Sequence, residues 1–258
     1  MIRILLLAGT AEARLLAARL AADPRFSVTA SLAGETREPA VFACPLRIGG
    51  FGGEAGLMDH LRESAVDVVV DATHPFARYP VVVARCCDRL GIPRLRLVRR
   101  PWVSGAGVHW REVADLAAAA AALPSGARAL LSTGRKSRHA FAASPAAWLG
   151  LRVIDPPGGR SWHPAGVHLV QRPPFTIEQE TETLTRHAVT HLVTRNSGGS
   201  GGWSKIVAAS SLGVAIVMVA RPPPVPGPTV ETVDRAFAWL ASGAGGHDDA
   251  RLQGEYPC

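Results

Sequence analysis

Cysteine is scarce in this sequence, and its spacing excludes the common zinc and disulfide frameworks. Four cysteines are present, none forms a C-x-x-C pair, and no histidine stands at zinc-finger spacing from them. No H-E-x-x-H motif occurs either. Cys86 and Cys87 are adjacent on a predicted helix, so their side chains point in different directions. We therefore expect free thiols in a reducing cytoplasm and no metal site.

Long hydrophobic runs are also missing, which excludes a membrane-spanning helix. No apolar stretch approaches the ~18 residues that a span requires. The apolar start of the chain, at 4–8, is followed at once by Gly9 and Thr10 and by the charged Glu12 and Arg14. This pattern is typical of a first buried strand and not of a signal peptide. We predict a protein with no membrane partner.

Acidic residues are fewer than basic residues, and the net positive charge bears on what the protein binds. The 258 residues include 28 Lys and Arg against 21 Asp and Glu, a net charge of +7. The basic residues are mostly scattered arginines, whereas nucleic-acid binders favour basic runs with interleaved aromatics. We therefore expect no nucleic-acid partner. Two explanations stay open at this point: an arginine-rich composition with solvated faces, and a small polyanionic substrate.

Short runs rich in Ile, Val and Leu alternate with helical patterns along the chain, which predicts doubly wound parallel sheets of the α/β class. The alternation is interrupted near Pro101. We therefore predict two Rossmann-like halves, 1–100 and 101–242, each with a mostly parallel sheet flanked by helices, and a polar tail at 243–258. The predicted strands are 2–8, 26–32, 41–48, 66–72, 94–98, 108–113, 127–132, 151–154, 167–170, 191–194 and 214–219. The predicted helices are 11–22, 54–63, 79–90, 114–123, 177–187, 204–212 and 230–240.

The first candidate loop is A-G-T-A-E at 8–12, between a predicted strand and a predicted helix. In an open parallel sheet, ligands bind outside the carboxyl ends of the strands. Gly9 and Thr10 would present free backbone N–H groups to an anion there. The G-x-G-x-x-G fingerprint is absent, and a simple tight turn is the alternative.

The second predicted strand ends in S-L-A-G-E-T-R at 31–37. NAD sites place an acidic residue at this strand end, whereas a small residue with a nearby Arg suits the extra phosphate of NADP. Ser31 and Arg37 favour NADP, while Glu35 makes the distinction from an NAD site less clear.

The sequence D-A-T-H-P-F at 71–76 leaves a buried strand through side chains that donate, accept or stack. Thr73 suits a phosphate or an amide, and His74 with Phe76 suits the face of a planar ring. The alternative is structural, with Asp71 capping the turn and His74 satisfied within the loop.

A glycine-rich loop, T-R-N-S-G-G-S-G-G at 194–202, follows a late strand and precedes a helix that contains Lys205. Its N–H groups would bind an anion, although the spacing is not that of a P-loop. A flexible linker is the alternative, but this segment lies inside a domain, so ligand binding is favoured.

These loops together resemble the precorrin-6A reductase family of corrin (vitamin B12) biosynthesis. The matching pieces include L-L-L-A-G-T-A-E-A-R, G-G-F-G-G, D-A-T-H-P-F-A, S-T-G-R and T-R-N-S-G-G, in that order. Three positions depart from the family pattern: Ala8 and Pro173 where Gly is common, and Arg195 where Lys is common.

The resemblance implies an enzyme with its active site in a cleft between the halves. NADPH would reduce one double bond of a polycarboxylated macrocycle, giving precorrin-6B. No catalytic residue is assigned; His74 is a candidate, but the proton would come from water or already be on the macrocycle. A monomer is plausible. The implied cofactor residues are Gly9, Thr10, Ser31, Arg37, Thr73, Gly134 and Arg135. The implied substrate residues are His74, Phe76, Arg195, Asn196, Ser197, Gly198, Gly199 and Lys205.

Two other functions compete with this interpretation. A cofactor-independent tetrapyrrole enzyme of the uroporphyrinogen-III-synthase type also has two α/β halves. A non-enzymatic NADP-binding sensor would bind the nucleotide without turnover. Binding of NADPH separates the first from a reductase, and turnover separates the second.

Overall fold

A computed structural model describes residues 1–34, 41–105, 107–155, 163 and 165–243. The described residues fall into two units, one running to Arg99 and resuming at Pro223, the other running from Arg100 to Pro222. No helix in these ranges is long and apolar enough to cross a membrane.

The first unit is a six-stranded sheet with helices on both faces. The sheet order is β12-β5-β4-β1-β2-β3, and every neighbouring pair is parallel. Its elements are β1 (Ile2–Ala8), α1 (Ala11–Ala21), β2 (Phe26–Leu32), β3 (Leu46–Ile48), α2 (Gly53–Glu63), β4 (Val68–Ala72), α3 (Pro80–Leu90), β5 (Arg94–Leu97), β12 (Thr229–Val230) and α7 (Val233–Ala241).

The central strand β1 shows why both faces of this sheet are covered. Ile4 and Leu6 pack in one apolar cluster, while Leu5 and Leu7 pack in another on the opposite face. Successive side chains of a strand point to opposite faces, so a continuous apolar run requires helices on both sides. Burial of each Leu stabilises the fold by about 1.5–3 kcal/mol. The helices supply Leu16, Leu20 and Leu240 to the first cluster and Leu57, Leu61 and Val83 to the second.

The second unit repeats this architecture. Its sheet order is β6-β11-β10-β7-β8-β9, again parallel throughout. The elements are β6 (Arg111–Val113), α4 (Leu116–Ala121), β7 (Arg128–Ser132), a 3-10 helix (Arg135–Phe141), β8 (Trp148–Val153), β9 (Gly166–Val170), α5 (Ile177–Arg186), β10 (His191–Arg195), α6 (Ser204–Ser211) and β11 (Ala215–Val219). The predicted fold class, two parallel α/β halves, is confirmed.

The end of the described chain belongs to the first unit, which corrects the predicted domain range 101–242. β12 pairs with β5, placing Val230 opposite Leu97. The ring of Phe237 on α7 packs edge-on against Phe26 at 5.9 Å. The predicted helix 230–240 is therefore a short strand followed by a helix, which begins where the Thr232 hydroxyl accepts a hydrogen bond from the N–H of Arg235. Most of the predicted tail, 244–258, lies outside the described residues.

The predicted strand 41–48 is shorter than expected because of Pro45. Only Leu46–Ile48 pairs with β2. Proline has no N–H to donate to a ladder, so the pairing begins after it.

Candidate functional site

In the first unit, the loop after β1 is fastened to the end of β4. The Thr10 hydroxyl donates to the carbonyl oxygen of Ala72 (3.0 Å) and accepts from the N–H of Ala13 (3.2 Å). A Cβ added at Gly9 would lie 3.4 Å from the backbone nitrogen of His74. The structure therefore brings Gly9 and Thr10 beside the start of the D-A-T-H-P-F loop. The Thr10 hydroxyl caps α1 and already donates its hydrogen to Ala72, so its role is to position the loop.

Asp71 organises the turn that follows β4. Its Oδ1 accepts from the N–H (3.0 Å) and the hydroxyl (2.6 Å) of Thr73. Its Oδ2 lies 3.2 Å from Nε of Arg96, which stands opposite it on β5. This contact is an ion pair without hydrogen-bond geometry. The side chains of Asp71 and Arg96 are both largely buried. The Thr73 hydroxyl donates its hydrogen to Asp71, so it can bind a ligand only by accepting a hydrogen bond.

His74 is part of the same turn. Its Nδ1 accepts from the N–H of Phe76 at 3.2 Å, and the two rings are 5.9 Å apart. An acceptor at Nδ1 places the proton of the neutral ring on Nε2. Asp71 and His74 thus both hold the loop in shape, as the structural interpretation of this sequence expects.

The end of β2 has an arginine beside it that the sequence analysis did not single out. Ser31, which is buried, stands opposite Arg47 in the β2–β3 ladder. Nη1 of Arg47 lies 3.5 Å from the Ser31 hydroxyl and also donates to the carbonyl oxygen of Gly49. Nη2 donates to the carbonyl oxygen of Gly50 at 2.7 Å. The predicted partner of Ser31, Arg37, lies outside the described residues.

Phe51 fixes the plane of the Arg47 guanidinium. The guanidinium carbon lies 3.9 Å from the centre of the Phe51 ring, an arrangement that favours a cation. The other neighbours of Phe51 are Tyr79, stacked at 6.2 Å, and His60 at 5.0 Å. Burial raises the pKa of Tyr79 to about 12, and burial followed by the charge of Arg47 lowers the pKa of His60. Both rings are therefore neutral near pH 7, and Arg47 supplies the positive charge.

In the second unit, Asn196 ties the glycine-rich loop to the segment after Pro101. Its Oδ1 accepts from the N–H of Trp102 (2.8 Å), and its Nδ2 donates to the carbonyl oxygen of Trp102 (2.9 Å). The indole N–H of Trp102 donates to the carbonyl oxygen of Gly199 (2.7 Å). Asn196 therefore positions the loop instead of presenting its amide to a ligand.

Two cations hold further carbonyl groups of this loop. Arg221 donates to the carbonyl oxygens of Asn196 (2.8 Å) and Ser197 (3.0 Å). Lys205 donates to the carbonyl oxygen of Gly202 (3.0 Å) and lies over the Trp102 ring. Within the described ranges, the N–H groups of 198–202 donate to no protein acceptor. Most of the loop carbonyls are thus occupied, and the N–H groups of 198–202 remain available to an anion.

Gly198 has a steric reason to be glycine. Its φ is +67°, and a Cβ at this position would lie 2.0 Å from the carbonyl oxygen of Arg100. A side chain would therefore force the loop away from the segment that Asn196 holds.

The end of β7 adds a basic segment next to this loop. β7 pairs with β10, with Ser132 opposite Thr194. The buried hydroxyls of Thr133 and Ser137 share a hydrogen bond of 2.7 Å, and Ser137 also donates to the carbonyl oxygen of Gly134. The 3-10 helix that follows carries Arg135, Lys136, Arg138 and His139.

The structure regroups the residues that the sequence analysis singled out. Gly9, Thr10, Ser31, Thr73, His74 and Phe76 lie at strand ends of the first unit. Gly134, Arg135, Arg195, Asn196, Ser197, Gly198, Gly199 and Lys205 lie in the second. The proposed cofactor and substrate sets are each divided between the units, because strand-end position alone does not say which ligand a loop binds. In the part of the chain that the structure describes, no group of three or more His, Cys, Asp or Glu side chains could hold a metal ion.

Comparison with known proteins settles which family has these loops. Residues 3–241 match the family model described as "Precorrin-6x reductase CbiJ/CobK". The chain belongs to this reductase family. The resemblance inferred from the loop motifs is confirmed, and the family accounts for almost all of the chain.

Relatives of the reductase family match at full length. The chain is 41% identical over 243 residues to the precorrin-6A reductase of Rhodobacter capsulatus, covering 93% of this chain and 96% of that protein. It is 44% identical over 245 residues to that of Rhodococcus erythropolis, covering 94% and 98%. A solved structure named "CobK precorrin-6A reductase" superposes with a TM-score of 0.89 at 39% identity, covering 96% of this chain and 99% of that one. The family consists of oxidoreductases of a tetrapyrrole intermediate, so the match favours a reductase over the competing cyclase.

Proposed function

We propose that this chain reduces one double bond of precorrin-6A with NADPH, giving precorrin-6B. The full-length match to precorrin-6A reductases carries the proposal. A reductase of this family requires a reductant, and the chemistry of the first unit supports a phosphorylated nucleotide in that role.

The strand ends of the first unit fit such a nucleotide. Gly9, Thr10 and Thr73 are gathered at the ends of the adjacent strands β1 and β4, where open parallel sheets bind ligands. At the edge of the same sheet, a Cβ at Gly49, Gly50, Gly52 or Gly53 would meet nothing within 4 Å, so the loop after β3 leaves open space there. When bound, NADPH supplies the hydride, and the chain supplies position and exclusion of water.

The basic strand ends of the second unit suit the carboxylates of the macrocycle. The N–H groups of 198–202 and the cations Arg135 and Arg195 all lie at the ends of the neighbouring strands β7 and β10. Arginine pairs with a carboxylate through two parallel hydrogen bonds. We assign substrate binding to this loop and Asn196 to holding it in place.

The aromatic rings of His74 and Phe76 are the surface of the first unit that suits contact with a planar ring of a ligand. Nδ1 of His74 accepts from the N–H of Phe76, and the two rings lie 5.9 Å apart. We assign His74 to orienting a bound ring, and the proton that accompanies the hydride comes from water or is already on the macrocycle. Cys44, Cys86 and Cys87 are free thiols, which suits the reducing cytoplasm as the place of this reaction.

Titration of the purified chain with NADPH and, separately, NADH tests the cofactor. Nicotinamide fluorescence should report saturable binding that is tighter for NADPH. A variant with Arg62 replaced by Gln serves as control, because Arg62 is exposed on α2 and its carboxylate partner, Asp59 at 3.4 Å, is exposed as well. Binding that is equal for both nucleotides would contradict the NADPH assignment. Binding of neither, with or without precorrin-6A, would contradict the proposed function.

A further inference from the structure

Arg47 is a positive charge held rigidly at the open end of the first sheet. Its Nη atoms donate to the carbonyl oxygens of Gly49 and Gly50, and Phe51 covers one face of its guanidinium. Among the described residues it forms no ion pair with a carboxylate. Carbonyl oxygens orient a guanidinium but do not neutralise its charge, so this cation suits an anionic ligand.

The position of Arg47 decides which anion it suits. It stands directly opposite Ser31 in the parallel β2–β3 ladder, so both side chains are at the carboxyl end of the sheet. In a Rossmann-like sheet the end of the second strand receives the adenosine ribose, and an arginine nearby accommodates a 2′-phosphate. The Ser31 hydroxyl, 3.5 Å from Nη1, lies on the same side.

We propose that Arg47, assisted by the hydroxyl of Ser31, recognises the 2′-phosphate of NADPH and gives this chain its preference for NADPH over NADH. This inference rests on the proposed function and adds the residue that selects the cofactor. The five N–H groups of a guanidinium exceed the bonds that Ser31, Gly49 and Gly50 accept, so donors remain for a phosphate.

The arrangement is organised before any ligand binds. The ring of Phe51 is stacked on the ring of Tyr79. A Cβ at Gly56 would lie 1.7 Å from the carbonyl oxygen of Phe51, so α2 packs closely against the loop that holds Arg47. A side chain that is already fixed loses little conformational entropy on binding. Arg47 therefore suits selective recognition better than a freely rotating surface arginine does.

The test compares ligands that differ by the 2′-phosphate alone. Calorimetry should measure binding of adenosine 2′,5′-bisphosphate against adenosine 5′-monophosphate, and fluorescence should measure NADPH against NADH. In the variant Arg47→Gln we expect affinity for the two 2′-phosphorylated ligands to fall about 10- to 100-fold, as for a lost charge-assisted hydrogen bond. Affinity for NADH and the monophosphate should change less than about twofold. The variant Arg47→Lys, which keeps the charge without the fork, should fall between these limits.

Two comparisons make the result decisive. Arg37→Gln removes the arginine that the sequence favoured, and Arg62→Gln removes an exposed arginine of the same unit. Loss of selectivity in Arg37→Gln with retention in Arg47→Gln would overturn the inference while leaving the proposed function intact. An equal loss for all four ligands in Arg47→Gln would also overturn it, since that pattern means a structural role. No binding of NADPH by the unmodified chain would overturn the proposed function itself.

Discussion

The side-chain amide of Asn196 pairs with both backbone polar groups of Trp102 and so joins two segments of the second unit that are distant in sequence. Asn196 is 5% exposed, so both hydrogen bonds are shielded from water. The glycine-rich loop owes its conformation to this pairing and to the indole of Trp102, which binds the carbonyl oxygen of Gly199. The sequence places Asn196 in a binding loop, and the structure shows that its own amide serves the fold.

Replacing Asn196 with Ala should destabilise the protein by about 2–5 kcal/mol, because two buried backbone groups of Trp102 lose their partners. Urea denaturation followed by tryptophan fluorescence measures this change. Thr185→Ala, on the exposed side of α5, should stay within about 0.5 kcal/mol of the unmodified chain. A similar small effect of Asn196→Ala would contradict the role given to this amide.

Gly198→Ala should weaken substrate binding and lower stability by about 1–3 kcal/mol. The new Cβ meets the carbonyl oxygen of Arg100, and the residue must keep a left-handed conformation. Gly201→Ala is the matched control in the same loop, because a Cβ there meets nothing within 4 Å. Thermal unfolding and product binding should separate the two variants. If Gly201→Ala is as damaging as Gly198→Ala, the steric argument fails.

Asp71→Asn should destabilise the protein by about 3–5 kcal/mol, because Arg96 then has a buried charge without its partner. The exposed pair of Asp67 and Arg3 provides the comparison, and Asp67→Asn should cost less than about 1 kcal/mol. Chemical denaturation of both variants at pH 7 measures the difference. Equal effects would mean that the Asp71 pair is as well solvated as the surface one.

Tyr79→Phe should leave stability at pH 7 nearly unchanged, since the Tyr79 hydroxyl is buried without a hydrogen-bond partner among the described residues. Burial raises the pKa of Tyr79 from 10.0 to about 12. A raised pKa in the folded state means that the stabilising contribution is complete below pH 10 and is lost as the pH rises towards 12. Unfolding free energies measured from pH 9 to 12 should therefore decline more steeply for the unmodified chain than for the variant. Parallel declines would show that Tyr79 titrates normally.

The strands and most helices were predictable because they depend on local pattern. The run I-R-I-L-L-L-A can only be a strand buried on both faces, and Thr10 and Thr232 occupy the cap positions that begin their helices. The return of β12 to the first sheet was not predictable from pattern alone. Its pairing with β5 depends on tertiary contacts across more than a hundred residues of intervening chain.

The sequence predicted which loops form the site, but not which residue in each loop binds which ligand. Loops at strand ends were found because parallel sheets bind ligands there. Arg47 was missed because its nearness to Ser31 follows from the β2–β3 register, which the intervening residues do not reveal. Asn196 was assigned to a ligand because a polar side chain in a glycine-rich loop looks the same in sequence whether it binds substrate or backbone.

The most direct test of the central claim is the mass of the product formed from precorrin-6A with NADPH carrying deuterium at the transferred position of the nicotinamide. The account predicts one deuterium transferred to each macrocycle, one NADP⁺ formed for each product, and slower turnover with NADH. An unchanged macrocycle in the presence of NADPH that is demonstrably bound would contradict the account and indicate a nucleotide-binding protein without reductase activity.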